Sequence, residues 1–444
     1  MNWNQLISTR RLGAGSAVTE IELFNRTQFQ RDYDRIIFSS PFRRMQNKTQ
    51  VFPLPGSIFV HNRLTHSLEV ASVGRSLGNI LSERLTEKGV RNPLISELGA
   101  VVSAGCLAHD MGNPPFGHAG EEAISTFFKT GNGRSLEVLL KPEEWTDFIF
   151  FDGNANALRL LSHQFRGRRE GGFALTYTTL ASIVKYPYES YGVDKSKFGF
   201  FQSEKQLFSK IAKTLDLLQV HDKPLMFVRH PLVFLVEAAD DICYRIMDLE
   251  DAHKLKIIDY ETTSRLFLNF YDPVEDKDAL DKIGKVFRMV TDPNERISFL
   301  RAGVINKLVH ECIEVFAEEE EAIMGGVFQR PLIKDITSLS QVAMGEIDLL
   351  SVDRIYNDRT VVEIEMTGFK ILGTLLDEFI GAVLSPKAGF SRRLLSLMPE
   401  QYKADEQGMY GKIQSVIDFV SGMTDLYALD LYRKIKGISL PEIH

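Results

Sequence analysis

Residues 105–124 read GCLAHDMGNPPFGHAGEEAI and join an apolar run to a turn that is rich in glycine and proline. His109 and Asp110 stand at the end of the apolar run, and Gly112 offers a flexible position at which helices commonly stop. The prolines that follow cannot continue a helix, and they restrict the residue before them. The stretch therefore predicts a helix whose last side chains converge on one point with those of an enforced turn.

Two polar residues elsewhere in the chain complete a candidate metal site. His66 lies at the start of a predicted helix in HNRLTHSLEVA, and Asp240 lies inside the strongly apolar LVEAADDICYRIMDLED. A carboxylate within an apolar helix is costly unless it is paired or metal-bound. Adjacent helical residues point about 100° apart, so His109 and Asp110 need partners from other segments to bind one ion. Two histidines and two aspartates form a mixed shell that suits Mn, Fe, Ni, Co or Zn, with Mg also allowed.

Most of the remaining chain has apolar residues at helical spacing, which predicts a mostly all-α fold with an α-helical C-terminal part. One example is the set Leu68, Val70, Val73, Leu77 and Ile80. Strand signals are sparse, and QVFPLPGSIFV at residues 50–60 is predicted to form a small β-hairpin. From about residue 255 the chain is amphipathic helix without recognisable chemistry.

The composition is that of an ordinary globular protein. Of 444 residues, 44% are apolar and 25% charged, and a net charge of -7 argues against a chain dominated by nucleic-acid binding. Cys106, Cys243 and Cys312 stand singly in apolar surroundings, so we expect buried thiols in a reducing compartment. No apolar run approaches the roughly 20 residues of a membrane span, and the N-terminus lacks a signal-peptide core, so we expect a cytoplasmic protein.

The order H…HD…D is the signature of the HD superfamily of metal-dependent phosphohydrolases. In particular, the chain resembles the bacterial dGTP triphosphohydrolase family. The resemblance rests on RRLGAG, SPFRRMQNKTQVFPL, NRLTHSLEV, LAHDMGNPPFGHAGEEAI, FDGNANALRLL, LASIVKYP and VEAADDICYRIMDLEDA, which occur in that family's order and cover most of residues 10–254. It implies an HD-domain helical core and four metal ligands, His66, His109, Asp110 and Asp240, that hold a divalent ion such as Mg²⁺ or Mn²⁺.

The resemblance also implies a catalytic pair, His118 and Glu121, which follows the Pro-Pro turn. His118 would act as general acid or base near the scissile phosphate, and Glu121 would orient it. This is chemically reasonable, because a neighbouring carboxylate fixes the tautomer of a histidine and raises its pKa. A structural role is the alternative for a lone histidine.

Six residues match positions at which the family contacts the nucleotide: Gln50, Arg63, Lys185, Tyr186, Tyr244 and Asp248. Arg63, Lys185 and Tyr186 would face the triphosphate. Tyr244 would pack against the sugar where a 2′-hydroxyl would sit, and Asp248 would bind the 3′-hydroxyl. Asp240, Tyr244 and Asp248 lie at i, i+4 and i+8, on one stripe of a helix. Alternatively, Tyr244 is a core residue and Asp248 is a surface charge paired with Arg245 or a neighbour.

The expected reaction is hydrolysis of a deoxynucleoside triphosphate, with dGTP favoured, to the deoxynucleoside and inorganic triphosphate. The alternatives are an HD-type nucleotidase or phosphodiesterase on another nucleotide, and a non-catalytic nucleotide-binding sensor. The resemblance further implies a homo-oligomer, either a hexamer or another dimer-based assembly, and a nucleotide or single-stranded DNA as activator. We expect an N-terminal arm at 1–62, an HD core at 63–250, and a helical region at 251–444 packed on the core.

Overall fold

The computed structural model describes residues 1–13, 26–52, 60–192, 197–403 and 408–440, and its secondary structure is mainly α-helical, as predicted. The helices up to and including the one that carries Asp240 are α1 (Trp3–Leu6), α2 (Gln28–Ile37), α3 (Ser40–Arg44), α4 (Arg63–Glu87), α5 (Leu98–Ala108), α6 (Gly117–Lys129), α7 (Pro142–Ile149), α8 (Gly153–Ser162), α9 (Tyr177–Ile183), α10 (Lys205–Thr214) and α11 (Leu232–Lys254). The later helices are α12 (Tyr260–Leu268), α13 (Lys277–Met289), α14 (Pro293–Glu318), α15 (Glu320–Gly325), α16 (Ser338–Leu350), α17 (Arg359–Leu384), α18 (Gly389–Leu395), α19 (Met409–Ser421) and α20 (Asp425–Ile435).

Within the described ranges, β-structure is limited to one small sheet and a few isolated bridges. Strand β1 (Gln219–His221) pairs antiparallel with β2 (Met226–Phe227). The hairpin predicted for 50–60 falls mainly on residues 53–59, which lie outside the described residues. Their flanks meet, because Thr49 and Asn62 form an isolated antiparallel bridge.

Helix α5 is the central helix of the first half of the chain. Nearly all of its residues are buried, and it packs against α2, α4, α9 and α11. Its composition explains this position, because LGAVVSAGCLA combines apolar side chains with small residues and carries no charge. The helix ends directly before the HD pair, with His109 as its C-cap, a few residues earlier than the predicted stop at Gly112.

Two hydrophobic cores meet at the turn that follows α5. The first core is built largely from α4, α5, α9, α11 and α14, and it includes Met111. The second is built largely from α6, α7, α17, α19 and α20, and it includes Phe116. The Pro-Pro turn therefore passes from one core to the other, and the helices that carry His66, His109 and Asp240 belong to a different core from the helix that carries His118.

Gly112 has a different role from the predicted one. Its backbone does not adopt the left-handed conformation of a helix-ending glycine. A Cβ at this position would lie 2.1 Å from the carbonyl oxygen of Gly153 and 2.2 Å from the nitrogen of Ala157. Close packing of the turn against α8 therefore requires glycine here.

The C-terminal helices pack directly on the first half of the chain. Helix α17 lies against α6, and α19 is joined to α8 by an ion pair that is buried on both sides. In this pair, Arg159 donates from Nε and Nη2 to the two carboxylate oxygens of Asp418, each at 2.7 Å. Such paired, planar hydrogen bonds restrict the relative orientation of the two helices.

Cys106, Cys243 and Cys312 are buried and free, as predicted. Among the described residues, no helix combines the length and the apolar character that crossing a bilayer requires.

Candidate active site

Three of the four predicted metal ligands meet at one point. One side-chain ligand atom from each of His66, His109 and Asp240 lies within 4.8 Å of the others. Asp240 Oδ1 is 3.0 Å from His66 Nε2 and 3.4 Å from His109 Nε2. A capping box at Asn62 begins α4 and so places His66 in its first turn, whereas Asp240 comes from the first half of α11. The three residues are thus brought together by the packing of α4, α5 and α11.

The fourth predicted ligand, Asp110, lies beside this group. Its Oδ1 is 3.7 Å from His109 Nε2. Both carboxylate oxygens are already bonded within the protein, because Asn113 donates to Oδ1 and Arg63 Nη1 donates to Oδ2 at 2.7 Å. The carboxylate of Asp110 thus links the candidate metal group to Arg63, one of the predicted phosphate contacts.

Charge complementarity within the group shifts its pKa values. Burial alone would lower the pKa of His109, but the carboxylates of Asp110 and Asp240 outweigh it and raise the pKa to about 9. Burial would raise the pKa of Asp240, but the neighbouring His109 and His66 hold it well below its usual range. The same balance, with Arg63 as the main opposing charge, lowers the pKa of Asp110.

His118 and Glu121 form a hydrogen-bonded pair in the first turns of α6. His118 Nδ1 is 2.8 Å from Glu121 Oε2, and Glu121 Oε1 accepts the backbone N–H of Gly153 at 2.7 Å. The imidazole is 85% exposed, whereas the carboxylate beneath it is buried. The hydrogen bond raises the pKa of His118, and the same contact outweighs burial and lowers the pKa of Glu121. Nδ1 is thereby occupied, and Nε2 is the nitrogen left to meet a ligand.

Tyr244 and Asp248 both contact Tyr356, a residue of the C-terminal third. The rings of Tyr244 and Tyr356 are stacked with centroids 5.9 Å apart and planes 4° apart, and the Tyr356 hydroxyl donates to Asp248 Oδ2 at 2.9 Å. Asp248 is buried, and burial raises its pKa to about 7. It is therefore not the surface charge of the alternative interpretation, and Arg245 pairs with Asp241 and Asp348 instead.

Lys185 and Tyr186 lie in a cluster of cations organised by a buried carboxylate. Glu237, one helical turn before Asp240, accepts from Lys185 Nζ at 2.9 Å through Oε1 and from Arg229 Nη1 at 3.0 Å through Oε2. Both cations also lie over the ring of Tyr186, at 5.7 and 5.8 Å from its centroid. Glu237 thus holds two positive groups against the turn of α11 that precedes Asp240.

Two predicted nucleotide contacts carry buried polar atoms without a partner among the described residues. These atoms are Gln50 Oε1 and Arg63 Nε. Buried polar groups are normally hydrogen-bonded, so an unpaired one calls for an explanation. A ligand that donates to Gln50 and accepts from Arg63 would supply one.

Comparison with known proteins identifies the family. The HD domain model matches residues 63–168, and the model of the phosphohydrolase-associated domain matches residues 341–434. A deoxyguanosinetriphosphate triphosphohydrolase-like protein of Synechocystis is 40% identical over 99% of this chain and 100% of its own length. Its counterpart in Pseudomonas aeruginosa is 36% identical with the same coverage, and the deoxyguanosinetriphosphate triphosphohydrolase of Yersinia enterocolitica is 28% identical over 98% of this chain and 99% of its own.

The chain belongs to the deoxyguanosinetriphosphate triphosphohydrolase-like family of HD-domain phosphohydrolases. HD domains bind divalent metals, and the donor set of this family member fits one. His109 Nε2 is buried and has no hydrogen-bond partner among the described residues, while Nδ1 bonds the carbonyl of Cys106 at 2.6 Å. This second contact fixes the ring so that Nε2 faces Asp240, an arrangement typical of metal-binding histidines. We therefore take His66, His109 and Asp240 as residues that could hold the ion.

Sequence reasoning missed several polar residues of this HD-domain site. Lys197 Nζ lies 3.9 Å from Glu121 Oε2 and 3.6 Å from Asp152 Oδ2. The stretch KYPYESYGVDKSKFGFF, rich in aromatic and cationic residues, hinted at Lys197. Phe198, the neighbour of Lys197, is fully buried, so the chain at these two residues both packs in the core and borders the site. Nothing in the local sequence pointed to Tyr356 or Arg229.

Proposed function

We propose that this chain hydrolyses a deoxynucleoside triphosphate, with dGTP favoured, to the deoxynucleoside and inorganic triphosphate. The observation that carries the proposal is the pair of His118 and Glu121, an exposed imidazole held by a buried carboxylate. It follows the HD turn in a chain that matches, over its full length, relatives named for this activity. A phosphohydrolase needs such a group, because the leaving oxygen must gain a proton.

His118 supplies that proton in the proposed reaction. Water attacks the α-phosphorus, the bond to the 5′-oxygen breaks, and the imidazolium transfers its proton from Nε2 to the departing oxygen. The proton that the attacking water loses passes to solvent, and the imidazole regains a proton from solvent before the next turnover. Glu121 raises the pKa of His118, which favours the protonated imidazole that a general acid requires. Lys197 would limit the negative charge around Glu121 and Asp152.

A divalent ion held by His66, His109 and Asp240, with Asp110 as the further predicted ligand, would supply Lewis-acid polarisation of a phosphoryl oxygen and a water of lowered pKa. Arg63 presents its guanidinium from the first turn of α4, beside Asp110. Its planar donor fork suits a triphosphate oxygen. Lys185 and Tyr186 would bind other oxygens of the triphosphate.

The deoxyribose would lie against the wall formed by Tyr244 and Tyr356. A flat aromatic wall at the 2′ position leaves no room for a hydroxyl, so it discriminates against ribonucleotides by collision. Asp248 would accept the 3′-hydroxyl, and the buried oxygen of Gln50, which has no partner among the described residues, would accept a further donor.

The test is chromatography of the products after incubation of each of the four dNTPs, and of GTP, with purified protein and Mg²⁺ or Mn²⁺. We expect deoxynucleoside and triphosphate in equal amounts, most rapidly from dGTP, and none from a His118→Ala variant. Release of orthophosphate, or turnover of a monophosphate or a phosphodiester instead, would identify another HD-type activity. Tight binding of dNTP without product would identify a sensor.

The assembly, the location and the domain division complete the proposal, and they rest on the resemblance and the sequence. We propose a cytoplasmic homo-oligomer, a hexamer or another dimer-based form, that a nucleotide or single-stranded DNA activates. We also propose the division into residues 1–62, 63–250 and 251–444. Light scattering of the purified chain, with and without each candidate activator, tests the assembly, and initial rates under the same conditions test activation.

A further inference from the structure

One carboxylate of the C-terminal region joins two distant segments of the candidate active site. Asp425, in the first turn of α20, is buried, with 5% of its surface exposed. Its Oδ1 accepts the backbone N–H of Phe116 at 3.0 Å, and its Oδ2 accepts the backbone N–H of Thr49 at 2.7 Å. Phe116 lies two residues before His118, and Thr49 lies directly before Gln50.

The backbone that Asp425 holds at Phe116 is in an unfavourable conformation. Phe116 has φ 62° and ψ 18°, in the left-handed region that residues with a side chain rarely adopt, and Gly117 follows with φ 59°. Such conformations persist only where surrounding contacts impose them. These two residues determine the direction in which α6 begins, and hence where His118 points.

Packing of the Phe116 side chain against α17 favours the same backbone conformation. A Cβ on Gly368 would lie 2.4 Å from Cγ of Phe116, so the aromatic ring packs directly on the backbone of this helix. A Cβ on Gly373, in the same helix, would meet no atom of the described residues within 4 Å. The close contact is therefore specific to the position that faces Phe116.

Lys48 adds a third tie between the turn and the C-terminal region. Its buried ammonium donates to the carbonyl of Asn113, at the start of the Pro-Pro turn, and to the carbonyl of Ser421 at 2.9 Å. Asp425, Gly368 and Ser421 all lie in the part of the chain that matches the phosphohydrolase-associated domain. That region therefore contacts the turn at its beginning and at its end.

We infer that Asp425 is a positioning residue for the reaction, which it serves by holding the turn before His118 and the segment before Gln50 in one fixed relation. The inference rests on the proposed function. It gives the C-terminal region a role in catalysis, since that region sets the geometry of a group that the HD segment carries.

The first test replaces Asp425 by asparagine in the full chain, with Asp430→Asn as the matched control. Asp430 lies on the exposed side of the same helix, paired with Lys434. The asparagine side chain has one acceptor oxygen, whereas the backbone N–H groups of Phe116 and Thr49 need one acceptor each. The turn therefore loses a constraint. We expect kcat for dGTP to fall about 10- to 100-fold, the loss typical of a misplaced catalytic group, with KM changed less than about threefold. Asp430→Asn should keep the wild-type kcat.

The second test perturbs the turn from α17 and separates positioning from stability. Alanine is a better helix former than glycine, so both Gly368→Ala and Gly373→Ala favour the helix itself. Only Gly368→Ala displaces Phe116. We expect kcat to fall in Gly368→Ala and to stay unchanged in Gly373→Ala, with thermal unfolding monitored by circular dichroism for all four variants.

A third readout does not depend on turnover. In protein labelled with ¹³C-histidine, the NMR titration of His118 reports its contact with Glu121, and we expect its pKa to fall in Asp425→Asn and not in Asp430→Asn. If the wild-type chain hydrolyses no dNTP, the proposed function fails and this titration still decides the positioning role. An unchanged kcat and an unchanged His118 titration in folded Asp425→Asn, or equal kcat values for Gly368→Ala and Gly373→Ala, would overturn the inference.

Discussion

Glu121 binds His118 Nδ1 through one carboxylate oxygen at 2.8 Å and the backbone N–H of Gly153 through the other at 2.7 Å. The carboxylate is thereby fixed at both ends, and the imidazole cannot turn without losing its partner. The arrangement favours the imidazolium form of His118, whose pKa it raises. The protonation state of the proposed general acid thus depends on Glu121.

Replacing Glu121 by glutamine should lower the pKa of His118 and so shift the alkaline limb of the kcat profile to lower pH. Because the acid form is the active one in the proposed reaction, a raised pKa extends activity to higher pH, and loss of the carboxylate removes that extension. We expect kcat to fall more at pH 8 than at pH 6, and the most that can be lost is the whole contribution of general acid catalysis, about 10²- to 10⁴-fold. The measurement is the pH dependence of kcat. Glu122→Gln, on the exposed side of α6, is the control, and an alkaline limb at the same pH in both variants would contradict the role of Glu121.

Removing His109 should abolish tight binding of a divalent ion. His109 supplies a buried nitrogen that has no partner in the part of the chain that the structure describes, so His109→Ala leaves two ligand atoms of the three that meet. Loss of a residue that only hydrogen-bonds a metal ligand weakens metal binding roughly 10- to 100-fold. Because His109 is itself a candidate ligand, we expect its loss to raise the Kd for Mn²⁺, measured by isothermal titration calorimetry, by more than that. The exposed His310 provides the control His310→Ala. Equal Mn²⁺ affinity in the two variants would place the ion elsewhere.

Tyr244→Ala should weaken the discrimination between deoxyribose and ribose. The variant removes the proposed wall at the 2′ position, and we expect kcat/KM for GTP relative to dGTP to rise about tenfold or more, as for removal of a steric clash worth 1.4 kcal/mol or above. Tyr356→Phe is the matched comparison. It retains an aromatic ring to stack on Tyr244 but deprives Asp248 of its donor, so kcat/KM should fall equally for both nucleotides. A constant ratio in Tyr244→Ala would exclude the wall.

Asp248→Asn should stabilise the unliganded protein at alkaline pH and stabilise it less at pH 5. Burial raises the pKa of Asp248 to about 7, above the 3.8 of an exposed carboxyl. Between these values the unfolded chain loses its proton first, so stability falls as pH rises. The full difference between the two pKa values corresponds to a loss of about 4 kcal/mol in the free energy of unfolding. Asparagine carries no such cost.

The measurement is the midpoint of thermal unfolding at pH 5 and at pH 8. We expect the midpoint of Asp248→Asn, relative to wild type, to be several degrees higher at pH 8 than at pH 5. Asp353→Asn removes a carboxylate that is 76% exposed and should show no such difference. A pH-independent effect of Asp248→Asn would mean that this carboxyl titrates normally in the folded protein.

The polar residues of the C-terminal third show where sequence reasoning stopped. That third reads as plain amphipathic helix, yet Tyr356 contacts Asp248 and Asp425 contacts Phe116 across separations of 108 and 309 residues. Tyr356 ends a short π-helical turn, Ser351–Tyr356, a local feature that the 3.6-residue periodicity does not reveal. Contacts of this kind depend on how helices pack, and a single sequence has no local signal for them.

The sequence by itself determined the helical fold class, the end of α5 at the HD pair, and the burial of the cysteines. These follow from apolar periodicity, from prolines that stop a helix, and from the solvation cost of unpaired polar groups, all of which act locally. Only the tertiary structure decided that His66, His109 and Asp240 meet while Asp110 is bonded to Arg63 and Asn113, and that Gly112 serves close packing with α8. Those outcomes are set by the mutual orientation of α4, α5, α8 and α11, which arises when two hydrophobic cores are buried together around the Pro-Pro turn.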